Sequence, residues 1–290
     1  MAVIRLRSLG DCVLTTPALD ILKRFRPDLR VAVMVEARFR ALFEGNPDVA
    51  RILPPELGAL RRWRPALCLN LHGGTRSAWL AALSGARFRA GFSHFLPAMA
   101  YNVRIPRAQE ILGIDRKVHT AEHLASAMFY LGAPVGEVPR AKLVAGPGGS
   151  AGGHTAVIHA VAAAPEKTWR ADGFLAVAER LKQTGMEPVF IGGAADDLSP
   201  FRAYRTVAGA PLAEIKALLA GAELFVGNDS GPAHMAAALG VPSVVVFGPS
   251  DPAIWGPWRT VSRVIQSPEG IGRVNIADVL EAVDGLKVAA

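Results

Sequence analysis

The sequence predicts an α/β protein: two doubly wound parallel-sheet units that face each other across a ligand cleft at the C-terminal edges of their strands. Three observations carry this expectation. The chain opens strand–helix–strand. A run rich in glycine and proline, AGPGGSAGGH at 145–154, interrupts it, and a second strand–helix series follows. Within that series the stretch Glu223 to Ser250, ELFVGNDSGPAHMAAALGVPSVVVFGPS, reads strand, turn, helix, strand. The expected domains are therefore 1–145 and 155–290, joined by a linker at 146–154.

In order along the chain, Ala2 to Leu6 is the first expected strand. Ser8-Leu9-Gly10-Asp11 reads as a turn, followed by a helix from about Thr15 to Phe25 that Pro27 stops. Val31 to Val35 completes the first βαβ unit. Ala66–Leu71 and Arg89–Phe92 read as further strands, with helices over Arg76–Leu83 and Thr120–Leu131. In the second half Thr155–His159 and Glu187–Ile191 read as strands, and Asp172–Thr184, Pro211–Leu219 and Ile276–Leu286 as helices. In the 223–250 stretch, Asn228 to Gly231 supply cap and turn chemistry, Pro232 suits a first helical turn, and Gly240 with Pro242 ends the helix.

Composition narrows the class. At 51% hydrophobic residues the chain can bury sizeable cores, and no apolar run is long enough to cross a bilayer. Cys12 and Cys68 offer neither zinc spacing nor a disulfide framework, which fits a cytoplasmic location. The net charge of +7 is uneven. Through residue 145 there are 21 Lys+Arg against 11 Asp+Glu, a surplus of +10, and the remainder carries −3. A basic first half implies an anionic partner there, either a phosphorylated substrate or an anionic membrane surface. A nucleic-acid partner is not expected, because no recognition helix, RNA-binding aromatic motif or Cys/His finger is present.

Candidate chemistry gathers at a few positions. The helix opening at Gly231 offers free N–H groups and a positive dipole end to a phosphate, with no side chain in the way. Asp229 and Ser230 at its lip can bind hydroxyls. Asp229, acidic where a phosphate would sit, is expected to meet a sugar or a nearby cation instead. His234, in the first turns, reads either as a donor to a leaving group or as part of an amphipathic face. Lys167 follows the strand at His159 in HAVAAAPEKTW, as a point charge suited to a diphosphate or as a solvated loop residue. Asp11 reads as a general base on a hydroxyl or as a cap for the next helix. Arg61, Arg62 and Arg64, in RRWR, form either an anion clamp or a solvated loop. No metal site is expected: His119 and His123 are four apart, but no third ligand is evident.

Together these segments resemble glycosyltransferase family 9, the bacterial heptosyltransferases of the lipopolysaccharide inner core. The resemblance spans nearly the whole chain. It rests on IRLRSLGDCVLTTPALDILK, RRWRPALCLNLHGGTRSAWLAALSGARFRAGF, HTAEHLASAMFYLGAP, the His159–Trp169 loop with its K-x-W, and VGNDSGPAHMAAALGVPSVVVFGPSDP. It implies a GT-B fold and an inverting, metal-independent transfer of heptose from ADP-heptose, with no cofactor. It implies that Asp11 is the base, that Lys167 offsets the diphosphate charge, and that Asp229, Ser230, Gly231, Pro232 and His234 bind the donor. The phosphorylated glycolipid acceptor would lie on the first domain near the arginine cluster, with the enzyme at the inner face of the membrane. Two positions depart from the pattern: Ala160-Val161-Ala162-Ala163 stand where relatives carry Pro-Gly and a hydroxyl residue, and the acidic residue expected after Gly192-Gly193 is either Asp196 or Asp197. The alternatives are a GT-B transferase with another nucleotide sugar or acceptor, and a non-catalytic module that binds a nucleotide sugar or an anionic lipid.

Overall fold

The computed structural model describes residues 1–146 and 154–287. The chain divides into two compact units, Met1–Val144 and Ala145–Ala290. Apart from Gly146 and His154, the expected linker lies outside the described residues.

The first unit runs β1 (Ala2–Ile4), α1 (Leu9–Phe25), β2 (Ala32–Met34), β3 (Arg51–Leu53), α2 (Leu57–Trp63), β4 (Leu67–Asn70), α3 (Thr75–Leu83), β5 (Phe88–Phe92), β6 (Val103–Ile105), α4 (Ala108–Leu112) and α5 (Thr120–Tyr130). Its sheet order is β3-β2-β1-β4-β5-β6, with every pairing parallel. The second unit runs β7 (Thr155–His159), α6 (Ala171–Gln183), β8 (Glu187–Gly192), β9 (Arg205–Ala208), α7 (Leu212–Ala220), β10 (Leu224–Asn228), α8 (Gly231–Leu239), β11 (Ser243–Phe247), α9 (Pro252–Trp255), β12 (Ser262–Gln266) and α10 (Ile276–Lys287). Its order, β12-β11-β10-β7-β8-β9, is the same winding pattern, again wholly parallel.

Both are doubly wound sheets, as the sequence predicts. The central strands are apolar and buried along their length (AVI in β1, TAVIH in β7, SVVVF in β11), as parallel strands covered on both faces must be. Strand order reverses between β1 and β4 in the first unit, and between β7 and β10 in the second. The loops leaving those four strands are where such sheets hold ligands.

The first helix differs from its expected start. α1 begins at Leu9, so Asp11 lies in its first turn and not in a preceding loop. Ser8 is the N-cap, and the Asp11 carboxylate reaches back to the Ser8 N–H (3.5 Å) and hydroxyl (3.0 Å). Pro17 continues the helix. The Val13 carbonyl that would lack a partner there accepts from Thr16 Oγ1 at 2.8 Å instead. Strands β3, β6, β9 and β12 were not expected; they are short outer strands with at most one buried residue each, Leu53 in β3 and Ile105 in β6, and none in β9 or β12. No helix among the described residues is long and apolar enough to cross a membrane.

Candidate active site

In the second unit, the loops leaving β7 and β10 converge. After β7 the chain passes through Ala160–Ala164 into a 3-10 turn, Pro165–Lys167, that carries Lys167. Lys167 Nζ donates to Asp229 Oδ2 at 3.1 Å, and Asp229 is 8% exposed. This is the cation expected beside Asp229, delivered from 62 residues upstream. Next to it, Ser230 Oγ lies 3.0 Å from His159 Nδ1 and 3.1 Å from the Asn228 carbonyl. One hydroxyl proton cannot serve both, so the consistent arrangement has His159 donating from Nδ1 to Ser230 while Ser230 donates to Asn228. His159 is neutral: burial pushes its pKa down to about 4, against a smaller opposing pull from Asp196.

α8 begins immediately after Ser230, its N-cap, with Gly231 and Pro232 opening the first turn and His234 buried within it. The helix N-terminus, Ser230 and the Lys167–Asp229 pair therefore occupy one lip at the C-terminal edge of the sheet. Asn228, Trp169 and Gly248, which the motif reading gave no ligand role, build this lip. Asn228, fully buried, accepts from the Trp169 N–H at 2.9 Å, and Trp169 Nε1 donates to the Val274 carbonyl at 3.1 Å, which anchors the loop on both sides. A Cβ at Gly248, after β11, would collide with the Glu166 carbonyl oxygen, so the turn bearing Lys167 rests directly on glycine backbone. Beside that turn lies a cavity of about 890 Å³, lined in part by Glu166, Thr168, Gly248 and Gln266. Of the two acidic residues expected after Gly192-Gly193, Asp196 folds back to accept from the Gly193 N–H (2.6 Å), while Asp197 accepts from the Ser199 N–H (2.9 Å).

In the first unit, Asp11 follows β1 at the reversal point. Its side chain is 25% exposed, with Oδ2 held by Ser8 and Oδ1 3.5 Å from Arg5 NH1. From the neighbouring strand β4, Asn70 Oδ1 accepts from the His72 N–H (2.9 Å), and His72 Nδ1 meets the Arg7 carbonyl (3.1 Å). Burial, and then Arg5, lower the His72 pKa. His123 stacks on Phe92, with ring centroids 4.1 Å apart, and burial, His94 and Arg5 push its pKa down to about 4. His119 is the N-cap of α5, its Nδ1 accepting from the Ala121 N–H at 3.1 Å. Among the described residues no group of three or more His, Cys, Asp or Glu side chains could hold a metal ion.

The structure does not bring the arginine cluster to Asp11. Arg61, Arg62 and Arg64 end α2, whose last turn delivers the chain to the start of β4. Arg61 Nε donates to the Leu83 carbonyl (2.9 Å), ahead of β5, and Trp63 Nε1 to the Met1 carbonyl (2.9 Å), ahead of β1. Arg62 lines a cavity of about 450 Å³ with Arg30 and Arg51. All of this lies at the N-terminal edge of the sheet, whereas Asp11 lies at the C-terminal edge. In a right-handed crossover the helix returns the chain to the edge where strands begin, so a cluster that precedes a strand cannot share a lip with residues that follow one.

A parallel α/β unit with a helix N-terminus and a lysine–aspartate pair at its reversal point does not by itself name a reaction, and comparison with known proteins narrows the choice. The sequence pattern of glycosyltransferase family 9 (heptosyltransferase) matches residues 59–274. The chain belongs to glycosyltransferase family 9. It is thus a glycosyltransferase, of GT-B fold. Lipopolysaccharide heptosyltransferase 1 of Pseudomonas aeruginosa is 29% identical over 299 residues, covering 88% of this chain and 80% of that protein. Lipopolysaccharide heptosyltransferase 3 of Escherichia coli is 27% identical over 292 residues, covering 86% and 83%. Among solved structures, E. coli ADP-heptose lps heptosyltransferase II superposes with a TM-score of 0.84 at 23% identity, covering 99% of this chain and 98% of that one. The stretch from Glu223 to Ser250 falls wholly within the matched region of this family 9 chain, and so does Lys167. Asp11 lies ahead of it.

Proposed function

We propose that this family 9 enzyme transfers heptose from ADP-heptose to a lipopolysaccharide core acceptor, with inversion and without a metal ion. The observation that carries the reading is the pairing of Lys167 with Asp229 at the N-terminus of α8. A departing ADP develops negative charge on its diphosphate, and it needs positive potential that is already in place. Lys167 and the N–H groups of α8 supply that potential, the role a divalent cation plays elsewhere. Asp229 holds Lys167 in position. With donor bound, Lys167 turns to the diphosphate and Asp229 to a sugar hydroxyl. Ser230, oriented by neutral His159, turns its proton from the Asn228 carbonyl to the same ligand, with Gly231, Pro232 and His234 forming the floor.

On the first unit, Asp11 removes the proton from the acceptor hydroxyl as it attacks the anomeric carbon opposite the diphosphate. A single displacement of this kind inverts the sugar. The likeness to E. coli ADP-heptose lps heptosyltransferase II supports the donor, and the likeness to the lipopolysaccharide heptosyltransferases supports the acceptor. The +10 surplus of the first half favours a phosphorylated acceptor at an anionic, cytoplasm-facing membrane surface.

The test is ADP release from ADP-heptose with a lipopolysaccharide core acceptor in the presence of excess chelator. Turnover is expected to persist, and to fall by roughly 10²- to 10⁴-fold in Asp11→Asn. Loss of activity on chelation removes the metal-free mechanism, and an active Asp11→Asn removes the base. Equal stabilisation by several nucleotide sugars in a donor panel removes ADP-heptose as the preferred donor.

A further inference from the structure

The charge on Arg5 has no evident structural purpose. Arg5 leaves the end of β1 with its side chain inside the protein, 5% exposed. Its ion-pair partner is Asp11, at 3.5 Å from NH1 to Oδ1. That is long against the roughly 2.7–2.9 Å of a strong charge-assisted bond. Its Nε is buried and makes no hydrogen bond. Burial holds the guanidinium below its ordinary pKa, and Asp11 is the main influence opposing that fall. A buried cation compensated this thinly contributes little to stability. An apolar side chain of similar length in its place is commonly neutral or stabilising.

What the guanidinium does reach is the proposed base. The two carboxylate oxygens of Asp11 are divided between two partners: Ser8 Oγ donates to Oδ2 at 3.0 Å, and Arg5 faces Oδ1. Ser8 alone leaves the carboxylate free to turn about its Cβ–Cγ bond, and Arg5 on the other oxygen removes that freedom. Arg5 also lowers the pKa of His72, after burial, so the ring beside the Arg7 carbonyl takes up a proton less readily.

We propose that Arg5 is a positioning residue for the transfer: its guanidinium pins Oδ1 of Asp11 so that the carboxylate meets the acceptor hydroxyl in one orientation. The assignment rests on Asp11 being the base. Arg5 acts through Asp11 and does not touch the donor.

The experiment compares Arg5→Met, Arg5→Lys and Asp11→Asn in the full chain, by steady-state kinetics with ADP-heptose and core acceptor and by thermal melting. Arg5→Met is expected to melt at or above the wild-type temperature. Its kcat should fall by about 10²-fold, the scale of a misplaced catalytic group, with both KM values within about threefold of wild type. Arg5→Lys should recover part of kcat. A kcat for Arg5→Met within about twofold of wild type overturns the proposal, as does a rise in acceptor KM with kcat intact, which would make Arg5 a binding residue. A lysine variant no better than the methionine one overturns it too. If Arg5→Met fails to fold, Arg5→Gln is judged by the same kinetics, and if that also fails to fold Arg5 is structural and the proposal is lost. An active Asp11→Asn defeats the base reading itself, whereas an inactive Asp11→Asn beside a fully active Arg5→Met defeats only the role of Arg5.

Discussion

His159 links burial to pH at the level of a single side chain. It is neutral in the fold, with a pKa near 4 set by burial, against about 6.5 in the unfolded chain. Between those values the unfolded state binds the extra proton. The stability His159 contributes is therefore complete above pH 6.5 and is lost as pH falls toward 4, on the order of 3 kcal/mol at the bottom of the window. The melting temperature of His159→Asn should decline less than that of wild type between pH 6.5 and 4.5, with His123 supplying part of the remaining slope. Equal slopes in the two proteins would count against a neutral, buried His159. Asp229 shows what was legible at this scale. A buried acidic residue at a helix N-terminus calls for a hydroxyl or a cation, and Lys167 is the cation that meets it. The arginine cluster precedes a strand, a position that in a parallel sheet sets it at the edge opposite Asp11, and chain direction alone makes that legible.

Among the elements, the turn at Pro165–Lys167 and the strand exit at Gly248 form one device. A methyl group at position 248 meets the Glu166 carbonyl, which is backbone and cannot rotate away. Gly248→Ala should therefore displace Lys167, costing about 1–3 kcal/mol in stability and raising the donor KM by about tenfold or more. A variant with unchanged donor KM would show that the turn adapts. This contact joins positions 82 apart and leaves no local trace, so no motif could announce it. The central strands and their helices were legible because continuous apolar runs and cap residues are local signals. The outer strands were not, since three to five half-exposed residues such as Arg205–Ala208 carry neither a run nor an alternation. The start of α1 was misplaced for a related reason: Ser8 and Asp11 look like turn residues until the reciprocal contacts between them are seen.

On the scale of the molecule, the proposed chemistry uses the same feature twice. Asp11 follows β1 and the Lys167 loop follows β7, and each of those strands borders the point where its sheet reverses direction. The two halves carry opposite charges, +10 and −3, which composition alone shows, and these parallel the proposed division between an acceptor unit and a donor unit.

Each half completes its own six-stranded sheet without borrowing a strand from the other. Such self-sufficiency makes the two halves interchangeable parts. A fragment beginning at His154 should fold unaided and still be stabilised by ADP, by about 2.7 kcal/mol at a hundredfold excess over its Kd. A fragment that stays unfolded, or melts at the same temperature with and without ADP, would show that the halves depend on each other after all. If the fragment behaves as expected, donor choice can be transplanted between relatives by exchanging whole halves, with the acceptor side left untouched.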